Sequence, residues 1–207
     1  MIIKICGMRE PDNIRAVATL VRPDWMGFIC WPGSKRFVAQ VPAYLPQPPV
    51  QRVGVFVDAP VQYVRQQTEA LGLHLIQLHG HEDEQYCHAI KEMLHLPIIK
   101  AFGISDLSDI VKVNAYARRS SADYLLFDTS TPLVGGSGRQ FDWSLLSHYT
   151  GPLPFLLSGG IGPADATQIR AFSHPRCIGI DLNSRFEVSA ALKDVHALQA
   201  FAEELRQ

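Results

Sequence analysis

A rhythm constrains this chain more than anything else in it. Short runs of Ile, Val, Leu and Phe recur, each followed by polar or glycine residues and then by a stretch with helical spacing. Eight of these runs read as strands: Ile2–Cys6, Trp25–Cys30, Arg52–Val57, Leu73–Leu78, Pro97–Phe102, Tyr124–Asp128, Pro154–Leu157 and Cys177–Leu182. Amphipathic helices are predicted between them at Pro11–Leu20, Val61–Leu71, Asp83–Leu94, Asp106–Ala117, Ala164–Phe172 and Ala190–Leu205. Two intervals carry a poorer helical signal. Gln40–Val50 holds four prolines, which leaves room for about one helical turn, and Phe141–Tyr149 is short. Pro163 suits a first helical turn after Gly162, and Ser105 is the expected cap of the helix that starts at Asp106.

Strands apolar on both faces and separated by helices imply a parallel sheet covered by helices. Eight such units in 207 residues predict an α/β protein, a single (βα)8 TIM barrel filling one domain from residue 1 to 207. The rival is an open doubly wound sheet. That fold usually marks a dinucleotide site with G-x-G-x-x-G after the first strand, whereas this first strand ends in Cys6-Gly7-Met8-Arg9.

Composition narrows the partners. A 47% hydrophobic fraction with 19% charged residues argues against disorder or a fibrous fold. Nineteen basic residues against twenty acidic ones leave a formal charge of −1, so neither nucleic acid nor an anionic membrane is an expected partner, and any anion site must be local. The four cysteines lack C-x-x-C spacing, so neither a disulfide framework nor a zinc ribbon is expected and a reducing cytoplasm fits. Lys4 interrupts what would have to be a signal peptide's apolar core, and no run of ~20 apolar residues occurs. The totals leave monomer and homodimer equally open.

In a barrel, reactive groups lie where strands end and loops begin. That filter selects Cys6, Asp58, His79, Asp128, Ser158-Gly159-Gly160 and Asp181. The glycines of Ser158-Gly159-Gly160-Ile161-Gly162-Pro163 let backbone N–H groups approach an anion at a helix start, and Asn183-Ser184-Arg185 offers further donors; tight turns are the plainer reading. Cys6, beside Gly7, is a base or nucleophile if its pKa falls, while Cys30, Cys87 and Cys177 read as structural. Asp128 follows Tyr124-Leu125-Leu126-Phe127, and apolar neighbours raise a carboxyl pKa toward the range of a proton donor; a loop anchor is the alternative. The glycine-rich run from Pro132 to Arg139 is a candidate ligand-covering loop. Arg36 can grip a carboxylate through two parallel hydrogen bonds, although most Lys-Arg pairs are solvated surface. His79 and His81 lack an evident third partner, so no metal is expected.

Taken together, Lys4-Ile5-Cys6-Gly7-Met8, Ser34-Lys35-Arg36, Val53-Gly54-Val55-Phe56-Val57, Gln77-Leu78-His79-Gly80, Phe127-Asp128-Thr129, Gly135-Gly136-Ser137-Gly138, Phe141-Asp142-Trp143 and Leu157-Ser158-Gly159-Gly160 resemble the phosphoribosylanthranilate isomerases, in order and spacing along nearly the whole chain. The resemblance implies a cofactor-free Amadori rearrangement of a phosphorylated small molecule in tryptophan biosynthesis. It implies Asp128 as general acid and Cys6 as general base, with the carboxyl pKa moved up and the thiol pKa moved down. It further implies Arg36 at the anthranilate carboxylate, Gly159, Gly160 and Ser184 at the phosphate, Asp181 at the ribose hydroxyls or neighbouring loop donors, and His79 as a wall of the pocket. Asn183-Ser184-Arg185-Phe186-Glu187 departs from the serine-glycine turn of many members, and no Pro-Gly precedes the last helix. Competing readings are another phosphate-handling barrel, a silent ligand-binding barrel, and a thiol hydrolase built on Cys6 and His79.

Overall fold

The computed structural model describes residues 1–130 and 140–207. Eight parallel strands close on themselves in sequence order: β1 Ile2–Ile5, β2 Trp25–Ile29, β3 Gln51–Phe56, β4 Leu75–Leu78, β5 Ile98–Ile104, β6 Tyr124–Thr129, β7 Phe155–Leu157 and β8 Cys177–Leu182. Closure is made by β1 and β8, which pair from Ile2 with Gly179 to Ile5 with Leu182. Each expected strand is present, with ends shifted by a few residues.

Helices α1 Pro11–Ala16, α2 Val61–Leu71, α3 Glu84–Leu94, α4 Leu107–Ala117, α5 Ala166–Ala171 and α6 Val195–Arg206 lie between or after the strands. Four expectations are corrected. No helix joins β2 to β3, because the prolines of the 40–50 segment break it. Phe141–Tyr149 yields only a 3-10 segment at Trp143–His148. The cap of α4 is Asp106, whose carboxylate accepts from the Ser108 N–H while Asp109 reaches back to Ser105 and Asp106. The last helix begins at Val195 rather than Ala190, because Glu187–Ser189 (β9) and Leu192–Lys193 (β10) form a small antiparallel hairpin first.

The strand period of two builds two cores. Ile3, Ile5, Phe28, Phe56, Leu78, Phe127, Phe155 and Ile180 face the helices and pack with residues such as Ile14, Val64, Ile90 and Leu198. Trp25, Val53, Leu75, Ile99, Leu126 and Leu156 form a separate cluster inside the barrel. Counting on by twos from that inner layer leads to Val55, Gln77, Asp128 and Ser158. The same parity on β1 and β8 turns Lys4, Cys6 and Asp181 inward. Two of the inward side chains, Lys4 and Asp181, meet as a buried ion pair 2.7 Å long.

Candidate active site at the strand ends

Where the inner layer ends, an open pocket lies at the C-terminal end of the barrel. Its walls include Cys6, Arg36, His79 and Asp128 on one set of strand ends and Gly159, Gly160, Asp181 and Ser184 on another, with Ile29, Trp31 and Val55 as apolar lining. The eight residues singled out at the sequence level thus share one pocket. Asp58 does not line it. Its carboxylate instead accepts from the N–H and the ring of His81, which makes it a loop anchor.

Two glycines have steric reasons to be glycine. Gly7 has φ +76°, and a Cβ there would stand 2.7 Å from Cδ of Arg36 and 2.8 Å from Oδ1 of Asn183. Gly159 has φ +89° and is pressed against the backbone of Thr129. Left-handed backbone of this kind is strained for a residue with a side chain.

The thiol of Cys6 sits beside Gly27, where a Cβ would come within 2.8 Å of the sulfur, so β2 leaves the thiol its space. Burial pushes its pKa up, while the ammonium groups of Lys4 and Lys193 pull the other way. The sequence-level expectation of a depressed thiol is corrected here: desolvation prevails over both cations. Lys4 is wholly buried; burial disfavours its charge, but Asp181 and Cys6 outweigh that and raise its pKa. Asp181 also receives a 3.4 Å contact from the Ser158 hydroxyl. Burial holds the Cys30 thiol at about 12, in keeping with a structural role.

His79 is more than a wall, for its Nε2 lies 3.4 Å from Oδ2 of Asp128. The side-chain amide of Gln77 stands 2.8 Å from Nδ1 of the same ring, which orients Nε2 toward Asp128. The other carboxylate oxygen of Asp128 accepts from the Thr129 N–H at 2.8 Å.

Arg36 is not a free cation. It donates from Nε and Nη2 to the two oxygens of Glu187. Burial would raise the Glu187 carboxyl, but Arg36 and Lys193 hold it down at about 2. Lys193 donates to Glu187 and to Asn183, and Asn13 of α1 pins its backbone in both directions. One carboxylate therefore serves both Arg36 and Lys193, and burial lowers the Lys193 pKa. The loop after β7 also differs from expectation. The turn Pro163–Asp165 is 3-10 and α5 is only six residues long, so its dipole contributes little, and the Gly162 N–H is occupied by Asp165. Among the described residues, the N–H groups of Gly159, Gly160 and Ser184 have no hydrogen-bond partner. The glycine-rich run expected to cover a ligand falls in residues 131–139, outside the described residues.

A sequence model of N-(5'phosphoribosyl)anthranilate (PRA) isomerase matches residues 3–204. The chain belongs to that isomerase family. The N-(5'-phosphoribosyl)anthranilate isomerase of Phocaeicola vulgatus is 45% identical over 207 residues, covering all of this chain and 98% of its own. That of Parabacteroides distasonis is 46% identical and is covered to 93%, against 99% of this chain. Among solved structures, the Thermus thermophilus phosphoribosyl anthranilate isomerase superposes with a TM-score of 0.83 at 28% identity, covering 100% of this chain and 98% of its own. Another isomerase structure, in complex with reduced 1-(o-carboxyphenylamino)-1-deoxyribulose 5-phosphate, gives 0.80 at 27% identity, covering 100% of this chain and 99% of its own. As a phosphoribosylanthranilate isomerase family member, the chain is an isomerase of tryptophan biosynthesis with a (βα)8 barrel. Among the described residues, no helix is long and apolar enough to cross a membrane.

Sequence reasoning missed several residues that contact the lining of this isomerase pocket. Lys4 is visible as a cation inside an apolar strand, and period two would have turned it inward with Cys6. Gln77 bears on the mechanism only through His79. Glu187 and Lys193 join the site through the hairpin that replaced the predicted start of the last helix.

Proposed function

We propose that residues 1–207 act as one catalytic barrel, in the reducing cytoplasm, in which Cys6 and Asp128 carry the Amadori rearrangement of N-(5-phosphoribosyl)anthranilate to 1-(2-carboxyphenylamino)-1-deoxyribulose 5-phosphate without a cofactor. The observation that carries this reading is the convergence of one thiol and one histidine-backed carboxyl on a single pocket. In the first step Asp128 delivers its proton to the furanose ring oxygen as the C1–O bond breaks, giving an open-chain iminium. The positive nitrogen acidifies the C2 proton, which the Cys6 thiolate removes to give an enol-amine. A proton then leaves the enol hydroxyl and one is added at C1, which yields the amino ketose.

The surroundings fit these roles. Nε2 of His79 faces the carboxylate that Asp128 becomes, and a proton on that nitrogen stabilises it after proton transfer. Lys4 favours the Cys6 thiolate electrostatically, which a buried sulfur requires. Arg36 at the pocket wall suits the anthranilate carboxylate, and Trp31 and Ile29 offer its ring an apolar wall. The phosphate takes the N–H groups of Gly159, Gly160 and Ser184, and Asp181 with Ser158 faces the ribose hydroxyls. A monomer or a homodimer would serve this chemistry equally, since each of these groups comes from one chain.

The test is conversion of freshly generated phosphoribosylanthranilate by the purified, chelator-treated protein, followed by loss of anthranilate fluorescence. Turnover without added cofactor is expected. No turnover would reject the reading and move the assignment to another phosphate-handling barrel.

A further inference from the structure

Arg185 stands where two loops meet. It belongs to the 3-10 turn Ser184–Phe186 that follows β8, lines the pocket together with Gly160 and Ile161, and lies along the backbone of Gly162 in the loop after β7. A Cβ on Gly162 would be 3.2 Å from its Nε and 3.7 Å from its Nη2. The stem of the side chain is thus held against the glycine loop whose Gly159 and Gly160 amides are unpaired among the described residues.

Charge distinguishes Arg185 from the other cations here. Arg36 is bound at two points to Glu187, Lys4 to Asp181, and Lys193 to Glu187 and Asn183. Arg185 has neither a carboxylate nor a hydrogen-bond partner among the described residues. Asp165, in the loop against which Arg185 lies, accepts from the Gly162 N–H and the Gln140 amide. Backbone amides alone offer an anion directed but uncharged donors. A phosphomonoester is close to a dianion at neutral pH and gains most from a planar, permanently charged fork beside them.

We infer that Arg185 is a specificity-determining phosphate ligand of this pocket, adding a fixed positive charge to the amides of Gly159, Gly160 and Ser184 and so selecting a phosphomonoester dianion over a neutral sugar. The inference rests on the reading of the pocket as a phosphoribosyl-substrate site. Because Arg185 is exposed at the rim, its loss leaves the fold intact, and solvent screening limits the effect.

Arg185→Ala and Arg185→Lys, compared with wild type in steady-state kinetics and in a phosphorus NMR titration with inorganic phosphate, test it. Arg185→Ala is expected to raise KM about tenfold and to weaken inorganic phosphate by a similar factor, with kcat within about twofold. Lysine should restore part of the loss, and the variant's KM should depend less steeply on salt than that of wild type. KM and phosphate affinity within about twofold of wild type in Arg185→Ala, or a fall in kcat at unchanged KM, would overturn the inference. If wild type does not turn over the substrate, the isomerase reading fails by itself. The titration still decides on Arg185: equal phosphate affinity in wild type and Arg185→Ala, or none in wild type, removes it as a ligand.

Discussion

Arg36 and Glu187 are 151 positions apart in sequence and meet at the barrel mouth as a two-point ion pair, Nε to Oε1 at 2.8 Å and Nη2 to Oε2 at 2.6 Å. With Lys193 on the same carboxylate, the pair fixes the hairpin β9–β10 to the loop after β2.

Stability in acid should report this pair. The Glu187 carboxyl is held at about 2 against an ordinary 4.5, so its stabilising contribution is complete above the ordinary value and disappears as pH falls from there through about 2. Urea unfolding at pH 6 and pH 3 should show wild type losing on the order of 2 kcal/mol more than Glu187→Gln over that interval. Equal losses would mean that the pair contributes nothing in solution.

Lys4 should set the pH at which the base works. Burial raises the Cys6 thiol and Lys4 opposes it, so kcat/KM is expected to climb with pH along the ascending limb of its profile, and Lys4→Met should move that limb to higher pH. The substitution also strands Asp181, at a cost of about 3–5 kcal/mol. The double variant Lys4→Met/Asp181→Asn removes that penalty and is compared with Asp181→Asn, because the Asp181 charge itself raises the thiol. A limb at the same pH in the double variant and in Asp181→Asn would show that Lys4 does not act on the thiol.

A second buried pair shapes the acid side of the pocket from behind. Lys100 donates to Glu82 and to the carbonyls of Leu78 and Gly80, and Glu82 in turn accepts from the N–H groups of Gly80 and Asp58, which fixes the turn carrying His79. Glu82→Gln leaves Lys100 without a counter-charge and should destabilise the protein by about 3–5 kcal/mol in chemical denaturation. A loss below about 1 kcal/mol would contradict the placement of this pair.

The rhythm of apolar runs made the strands legible, because a parallel sheet covered on both faces leaves an apolar mark in every strand. The eight pocket residues were legible because they stand at strand ends or carry motif spacing. The Arg36–Glu187 contact was not, since no local pattern links positions so far apart, and the hairpin was hidden by Ala190-Ala191, which looks like good helix.

That alanine carries its own prediction. Ala191 is wholly buried with φ +66°, a left-handed conformation that favours glycine, and its N–H lies 3.2 Å from Oε1 of Glu187. Ala191→Gly should relieve the strain and raise stability by up to about 1 kcal/mol, reduced by glycine's greater unfolded-state entropy. A fall in the urea midpoint would show that the hairpin holds alanine without strain.

The most direct test of the assigned chemistry is kcat/KM for phosphoribosylanthranilate in Cys6→Ala and Asp128→Asn, alongside urea midpoints that verify folding. Each substitution should lower the value by ~10² or more with the fold intact, because a positioned acid or base contributes that much. Near-wild-type turnover in either variant would contradict the assignment of the thiol as base and the carboxyl as acid.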